Sequence, residues 1–483
     1  MTARTGSQFI EGLRDERQVW LAAERISDVT AHPAFAGSVA GMAGYFDWQH
    51  KYADECLTTD EVTGTPMNAS LIVPRNAADL EQRHKAFDRF ARYSCGMLGR
   101  TPDYVNVTLA GFVARSDIFI RNGDTTAYDR LCNFYREVVE GDLSMTHTII
   151  QPAIDKSIGE LAGINGEIAA RVVGRNERGV IVRGAKILAT LGPFADELFV
   201  YPAGPLAPGS APEYAVMFSI PVSTPGVIQV CRDHYGTERN VADHPFSSRF
   251  DEQDTYVIFD DVEVPYERLF IDCDLDAYNA LRAAGWAANV FQQTSTRAAV
   301  KLEFAYDLCT RMSQLTNTEK RPDVAIRLGE LWSYAQLTRA ATAAGMAGAK
   351  DWGSGAFFCD DRPLRALRSQ MPHWMTRMSE LVKSLGGHNL LATPSLGAFD
   401  DAVMQPLLEK YMPDASGNQA KERARIFRMA WDFVGSALGG RVDLYEHFYL
   451  ASQPTNFIRD HMQTLGEGGF GVLDEFLREG CNA

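Results

Sequence analysis

Residues 166–190 read GEIAARVVGRNERGVIVRGAKILAT. Apolar and polar residues alternate on both sides of Asn176-Glu177-Arg178-Gly179, the pattern of a β-hairpin closed by a short turn. The pattern continues downstream in DELFVYPAG (196–204), EYAVMFSIPV (213–222), GVIQVCRDHYG (226–236) and DTYVIFDDVEVP (254–265). These segments are short, rich in Val, Ile, Phe and Tyr, and separated by Gly and Pro. They predict a middle β-domain, a small barrel or a sandwich.

The flanks have a different period. From 76 to 98, Leu80, Phe87, Phe90, Ala91 and Cys95 fall on one face of a helix. Asn76 suits its N-cap and Gly99 its end. Thr101-Pro102 then opens another helix, with Thr as the cap and Pro at the first helical position. Beyond the β-segments no Gly or Pro occurs from Trp286 to Arg321. At about 1.5 Å per residue, that window allows a helix on the order of 50 Å. Further helical stretches are Glu330–Ala344, His373–Leu385 and Gln419–Val434. Long helices joined by short loops predict an antiparallel bundle. The fold class is therefore α+β: an N-terminal helical domain over 1–145, a β-domain over 146–272, and a helical bundle with its tail over 273–483.

The 483 residues are 46% hydrophobic and 23% charged, which fits a large globular core and excludes disordered and fibrous classes. Lys plus Arg number 47 against 62 Asp plus Glu, a net charge of −15. An acidic chain repels phosphate backbones and anionic bilayers, so neither nucleic acid nor a membrane is an expected partner. The cysteines at 56, 95, 132, 231, 273, 309, 359 and 481 lie too far apart for CxxC, zinc-ribbon or local iron–sulfur motifs, and no metal site is expected. The opening MTARTGSQFIEGLRDERQVW has no apolar signal core, and no run of about 18 apolar residues occurs. These features predict a cytoplasmic protein.

Among motifs, GEGGFG places Gly466, Gly468 and Gly471 in GxGxxG spacing, but a dinucleotide site needs a strand before it and an acid well after it. A C-terminal turn is the better reading. No Walker A, HExxH or GxSxG sequence occurs. In GRTPDYVN (99–106), Arg100 and Tyr104 are four apart across a helix start and can bind a phenolic or anionic oxygen from one ridge. Spacing alone favours an Arg solvated near a helix end and a Tyr at the core edge. In LSMTHTIIQPAIDKS (143–157), His147 lies near the junction with the β-domain, where cofactor clefts form, or is a satisfied structural histidine. In GAKILATLGPFADELFVYP (184–202), Lys186 reads as a surface charge. Thr190 stands at a strand end, placed for a ligand or for capping its own loop.

TGSQFIEGLRDERQVWLAAERISDVTAHPAF (5–35) resembles the opening of the oxygenase components of 4-hydroxyphenylacetate 3-monooxygenase. GRTPDYVN, MTHTIIQPAIDKS, GAKILATLGPFADEL, HPFSSRFDEQDTYVIFDDVEVPYERLF (244–270) and FRMAWDFVGSALGGRVDLYEHFY (427–449) resemble further blocks of that family, in the same order. The resemblance implies an acyl-CoA dehydrogenase-like fold with a C-terminal four-helix bundle, and a homotetramer. It implies FAD used as FADH2, delivered by a separate NAD(P)H-dependent flavin reductase, with O2 as co-substrate. A flavin hydroperoxide would then hydroxylate a phenol ortho to its hydroxyl. By the same resemblance, Arg100, Tyr104 and His147 face the phenol. His147, Thr148, Gln151, Asp155, Lys156 and Thr190 lie in flavin-binding stretches, joined by Ser452, Gln453 and Pro454 from the loop after the bundle.

Other enzymes of this fold are the alternative: an acyl-CoA dehydrogenase, a dehydratase or an N-oxygenase. The dehydratase branch resembled by this fold needs cysteines four apart near Cys95 for its iron–sulfur cluster. Ala91 and Gly99 stand there instead and cannot ligate iron. YPAGPLAPGSAPEYA (201–215) falls where the family's substrate loop lies and offers no partner for a substrate carboxylate. That points away from 4-hydroxyphenylacetate toward a different or larger phenol, including one carried on a pathway intermediate.

Overall fold

The computed structural model describes residues 3–152, 154, 167–236, 240–283 and 285–480. The hairpin forms as its alternation predicts. Strand Arg171–Arg175 pairs antiparallel with Gly179–Thr190, with Arg175 opposite Val180 and Arg171 opposite Arg183. Asn176 shapes the turn: its Oδ1 accepts from the N–H groups of Arg178 and Gly179 at 2.8 and 2.9 Å. Gly179 allows the next strand to approach, since a Cβ there would lie 2.1 Å from the Val264 carbonyl oxygen.

Six strands make the larger sheet, in the order Glu24–Ile26, Gln18–Leu21, Val227–Cys231, Asp254–Pro265, Gly179–Thr190, Arg171–Arg175. Gln18–Leu21 runs parallel to Val227–Cys231, and the other neighbours are antiparallel. A smaller sheet has the order Leu269–Ile271, Met217–Pro221, Glu197–Val200, Met145–His147, its last pair parallel. The two sheets share one core. Val180, Val182, Val257 and Phe259 come from the larger, and Leu198, Val200, Phe218 and Ile220 from the smaller. Each such side chain contributes about 1.5–3 kcal/mol by leaving water. A one-residue slip would turn the whole set outward, so burial fixes the register. Of the two β architectures left open by the sequence, this is the sandwich: two open sheets, with no closed barrel among the described residues.

Helix Ala77–Tyr93 begins on Asn76, whose Oδ1 accepts from Ala78 and Asp79 N–H groups while Asp79 reaches back to the Asn76 N–H. It stops at Tyr93, short of the expected Gly99. Cys95 and Gly96 take positive φ of 53° and 72°, and a Cβ on Gly96 would lie 2.6 Å from Cβ of Lys301. Close approach to the next lobe ends the helix early and takes Cys95 off its face. Helix Pro102–Ala114 starts at Thr101-Pro102 and is buried along its whole length.

Helix Trp286–Leu315 occupies most of the Gly- and Pro-free window and ends before Pro322. With Pro322–Ala347, Asp361–Gly386 and the pair Ala420–Val434 and Ala437–Phe448, it forms the four-helix bundle. Leu302, Cys309, Leu331, Met375, Phe427 and Leu438 are among the residues at its centre. Helical lobe, β-sandwich and bundle together make the acyl-CoA dehydrogenase-like fold. Among the described residues no helix is long and apolar enough to cross a membrane. Gly468, Gly469 and Gly471 sit at positive φ between helices Gln453–Gly466 and Val472–Gly480, so the GxGxxG spacing is a turn.

Candidate active site

Three lobes meet where helix Pro102–Ala114 begins. Arg100, two residues before it, and Tyr104, in its first turn, are both buried. His147 ends strand Met145–His147, held opposite Phe199, and the following Thr148 N–H bonds the Phe199 carbonyl at 2.9 Å. The Nε of Arg100 lies 3.3 Å from Nε2 of His147, and the Tyr104 and His147 rings meet edge to face at 5.8 Å. The three residues singled out by sequence thus stand together. Arg100 is a buried group rather than a solvated one.

The electrostatics follow from this packing. An Arg has no acceptor, so the Nε–H of Arg100 donates and His147 Nε2 carries its lone pair. Burial, and then the Arg100 charge, push the His147 pKa well below its ordinary value. The neutral ring therefore keeps its proton on Nδ1, and that atom has no partner among the described residues. The result is a fixed N–H donor beside a buried guanidinium.

The third wall comes from the bundle. Tyr445 and Tyr449 are one helical turn apart and stack at 4.5 Å. The Arg100 guanidinium carbon lies 3.8 Å from the Tyr104 ring centroid and 5.2 and 5.3 Å from those of Tyr445 and Tyr449. Below them, Glu446 binds both Arg297, at 2.6 and 2.9 Å, and Lys301, at 2.9 Å. Burial opposes ionising Glu446, but the two cations hold its pKa at about 2. On the β side, Arg441 binds Glu252 at 2.8 Å and both oxygens of Asp254 at 2.7 and 3.0 Å. Asp254 also accepts from Thr190 Oγ1 at 2.8 Å.

None of Arg297, Arg441, Tyr445, Glu446, Tyr449, Glu252 or Asp254 was singled out by sequence. The available signal was the spacing 441, 445, 449, one ridge of a helix in a block already quoted. That spacing also fits any buried helix face.

The remaining expected residues divide. Thr190 ends its strand, with its hydroxyl turned to Asp254. Thr148 is buried, its hydroxyl 3.5 Å from the Thr146 carbonyl. Gln151 is buried, and neither amide atom meets a partner among the described residues. Asp155 and Lys156 lie outside the described residues. Ser452 caps helix Gln453–Gly466, accepting from the Thr455 N–H; Gln453 and Pro454 open that helix. The helix is tied to Asp361–Gly386 through Arg368 and Asp460, and no described hydrogen bond, ion pair or ring contact joins residues 452–454 to His147. Lys186 is a correction: it is buried, with Nζ 3.2 Å from the Ile149 carbonyl, because the segment after His147 covers its strand.

The amide of Gln151, buried with neither Nε2 nor Oε1 partnered among the described residues, offers a flavin ring edge both a donor and an acceptor, so the site fits FAD. Ser38, His234 and Asp251 have the residue types of a hydrolytic triad. However, all three are buried, and the Ser38 hydroxyl donates to the Asp251 carbonyl at 3.0 Å rather than standing ready to attack. Among the described residues no group of His, Cys, Asp and Glu could hold a metal ion.

Residues 5–271 match the family model for the 4-hydroxyphenylacetate 3-hydroxylase N terminal, and residues 281–459 match that for its C terminal. The 4-hydroxyphenylacetate 3-monooxygenase oxygenase component of Thermus thermophilus is 33% identical, over 92% of each chain. A Streptomyces globisporus relative is 30% identical over 98% of this chain and 89% of its own. It is a (3S)-3-amino-3-(3-chloro-4-hydroxyphenyl)propanoyl-[peptidyl-carrier protein] monooxygenase. Among solved structures, an oxygenase component of 4-hydroxyphenylacetate 3-monooxygenase complexed with FAD and 4-hydroxyphenylacetate superposes with a TM-score of 0.92, at 31% identity over 99% of both chains.

Proposed function

We propose an activity from the premise that this chain belongs to the 4-hydroxyphenylacetate 3-hydroxylase family. It is the oxygenase component of a two-component monooxygenase that hydroxylates a phenol ortho to its hydroxyl, and a separate reductase supplies reduced FAD. The observation that carries this is the buried cluster of Arg100, Tyr104 and His147, in which the guanidinium pairs with no carboxylate among the described residues and the His147 Nδ1–H meets no acceptor among them.

Reduced FAD, when bound, supplies two electrons to O2, so that one oxygen enters the ring and the other leaves as water. The chain's own work is to hold the phenol and make its ring electron-rich. The Arg100 charge and the His147 Nδ1–H both favour the phenolate, in a site where little water competes. Tyr104 packs against both, its ring under the Arg100 guanidinium and edge to face with His147. Because its Nε2 accepts from Arg100, neutral His147 acts as a donor to the phenol oxygen rather than as its base. Thr148, Gln151 and Thr190 would line the flavin, as would Asp155 and Lys156. Ser452, Gln453 and Pro454, which follow the turn at Ala451, would approach it from the bundle.

We also propose that the phenol carries no free carboxylate and is a larger molecule, including one held on a carrier. Within residues 201–215 the one charged residue is Glu213, and added Cβ atoms on Gly204 and Gly209 would meet nothing within 4 Å. A homotetramer built on the bundle is proposed likewise, supported by the exposed Phe457, Ile458, Met462 and Leu465 on one helix. The division into lobes at 145/146 and 272/273 is proposed likewise, supported by the long helices that resume at Leu275, while the early strands Gln18–Leu21 and Glu24–Ile26 join the sheet of the middle lobe.

The test is coupled hydroxylation. Protein, a generic flavin reductase, NADH, FAD and air are offered a panel of 4-substituted phenols, free and carrier-bound. Products heavier by one oxygen, lost in His147→Ala, support the reading. No protein-dependent turnover of NADH, hydrogen peroxide or phenol, together with no binding of reduced FAD, would overturn it.

A further inference from the structure

Two buried arginines share the Tyr445–Tyr449 stack, and they are treated differently. Arg297 is neutralised by a two-pronged pair with Glu446. Arg100, packed on the same rings, forms no ion pair with any described carboxylate; its guanidinium bonds His147 and the Gly99 carbonyl. A carboxylate is nevertheless close. Glu252 is fully buried, and its Oε1 accepts from the backbone N–H of Arg100 at 2.5 Å. In a dry site it should swing onto the guanidinium of the same residue. Its other oxygen is what holds it back: Arg441 takes Oε2 at 2.8 Å and uses its two remaining nitrogens on Asp254. Arg441 is in turn fixed over the Tyr445 ring at 5.3 Å.

We infer that Arg441 is a positioning residue that keeps Glu252 off the Arg100 guanidinium, so that the Arg100 charge stays free for the phenol oxygen. This rests on the reading that the site binds a phenol. Arg441 touches neither substrate nor flavin in this role. It acts through Glu252, which it holds at 2.8 Å while its other two nitrogens stay on Asp254, from a helix of the bundle on a group in the N-terminal lobe. Its planar fork is what the task needs, since a lysine is a point charge and cannot hold both carboxylates in register.

The test uses 4-nitrophenol, whose yellow phenolate reports its own ionisation, bound to the full chain with reduced FAD under anaerobic conditions. Wild-type protein should lower the apparent pKa of the bound phenol. Arg441→Lys, which preserves the buried charge balance, should raise it by about one unit or more relative to wild type as Glu252 turns to Arg100. The double variant Arg441→Lys/Glu252→Gln should restore the wild-type value, which a merely structural role would not do. A folded Arg441→Lys protein with the wild-type spectrum, or a loss that Glu252→Gln leaves unrescued, overturns the inference and leaves the phenol reading standing. If Arg441→Lys does not fold, Glu252→Gln alone decides: an unchanged or lowered phenol pKa supports the inference and a raised one overturns it. A wild-type protein that leaves the probe unbound or unperturbed overturns the inference, while the phenol reading stands or falls with coupled hydroxylation.

Discussion

Gly99 lies directly beneath the ring of Tyr445: a Cβ on Gly99 would come within 2.5 Å of Cζ of that ring. The contact decides where the next residue, Arg100, can point. Gly99→Ala should push Tyr445 aside, loosen the stack on Arg100 and cut kcat/KM for hydroxylation about tenfold or more, equivalent to about 1.4 kcal/mol. Bound reduced FAD, measured anaerobically, should change little. A variant with wild-type kcat/KM would show that the ring is free to move.

His147 makes the protein sensitive to acid in a defined direction. Its folded pKa lies well below the ordinary value because of burial and the Arg100 charge. The unfolded chain therefore binds more protons near pH 6, and stability must fall as pH drops through the unfolded value of about 6.5. His147→Gln should lose less melting temperature between pH 7 and pH 5 than wild type. Equal losses in the two proteins would refute this.

Glu446 tests the floor of the site. Removing its charge strands Arg297 and Lys301 together in the core, at a cost of about 3–5 kcal/mol. Glu446→Gln should lower the urea midpoint accordingly. The folded pKa of about 2 lies below the unfolded value, so the pair stabilises fully above the unfolded value and its contribution fades as pH falls toward 2. The difference between Glu446→Gln and wild type should shrink along that course.

Glu197 has the opposite sign. It is buried, bonded to Ser219 at 2.8 Å, with Arg268 at 3.4 Å. Burial raises its pKa to about 7 against Arg268 and Ser219, which lower it. The folded chain holds the proton more tightly, so stability from this group is present at low pH and is lost as pH rises toward 7 and beyond. Glu197→Gln should therefore gain melting temperature relative to wild type at pH 8 and gain less at pH 5.

Much of this was legible in the sequence wherever the cause is local. Asn176 and Gly179 specify a turn whatever surrounds them, and Asn76 specifies a helix start. Arg100, Tyr104 and His147, marked by their motif blocks, stand together in the fold. The early end of the helix at Tyr93 was not legible, because its cause is Lys301, some two hundred residues away. The buried role of Lys186 was hidden for the same reason: a lysine in a strand looks alike whether its face is open or covered. The partition of Arg297 to Glu446 and of Arg441 to Glu252 and Asp254 is a choice among several charges of each sign. Only the packed structure shows which carboxylate each arginine claims.

The parallel pairing of Gln18–Leu21 with Val227–Cys231 also sets an order of events during synthesis. Gln18 lies opposite Ile228, 210 residues later. At about 5–20 residues per second, the ribosome takes roughly 10–40 s to make that stretch. Through that interval the early strand leaves the tunnel with its edge unpaired, and a contact so distant in the chain is slow to form. The strand Gln18–Leu21 thus waits for its partner until synthesis has passed Cys231, and its open edge must be kept from other chains through that interval.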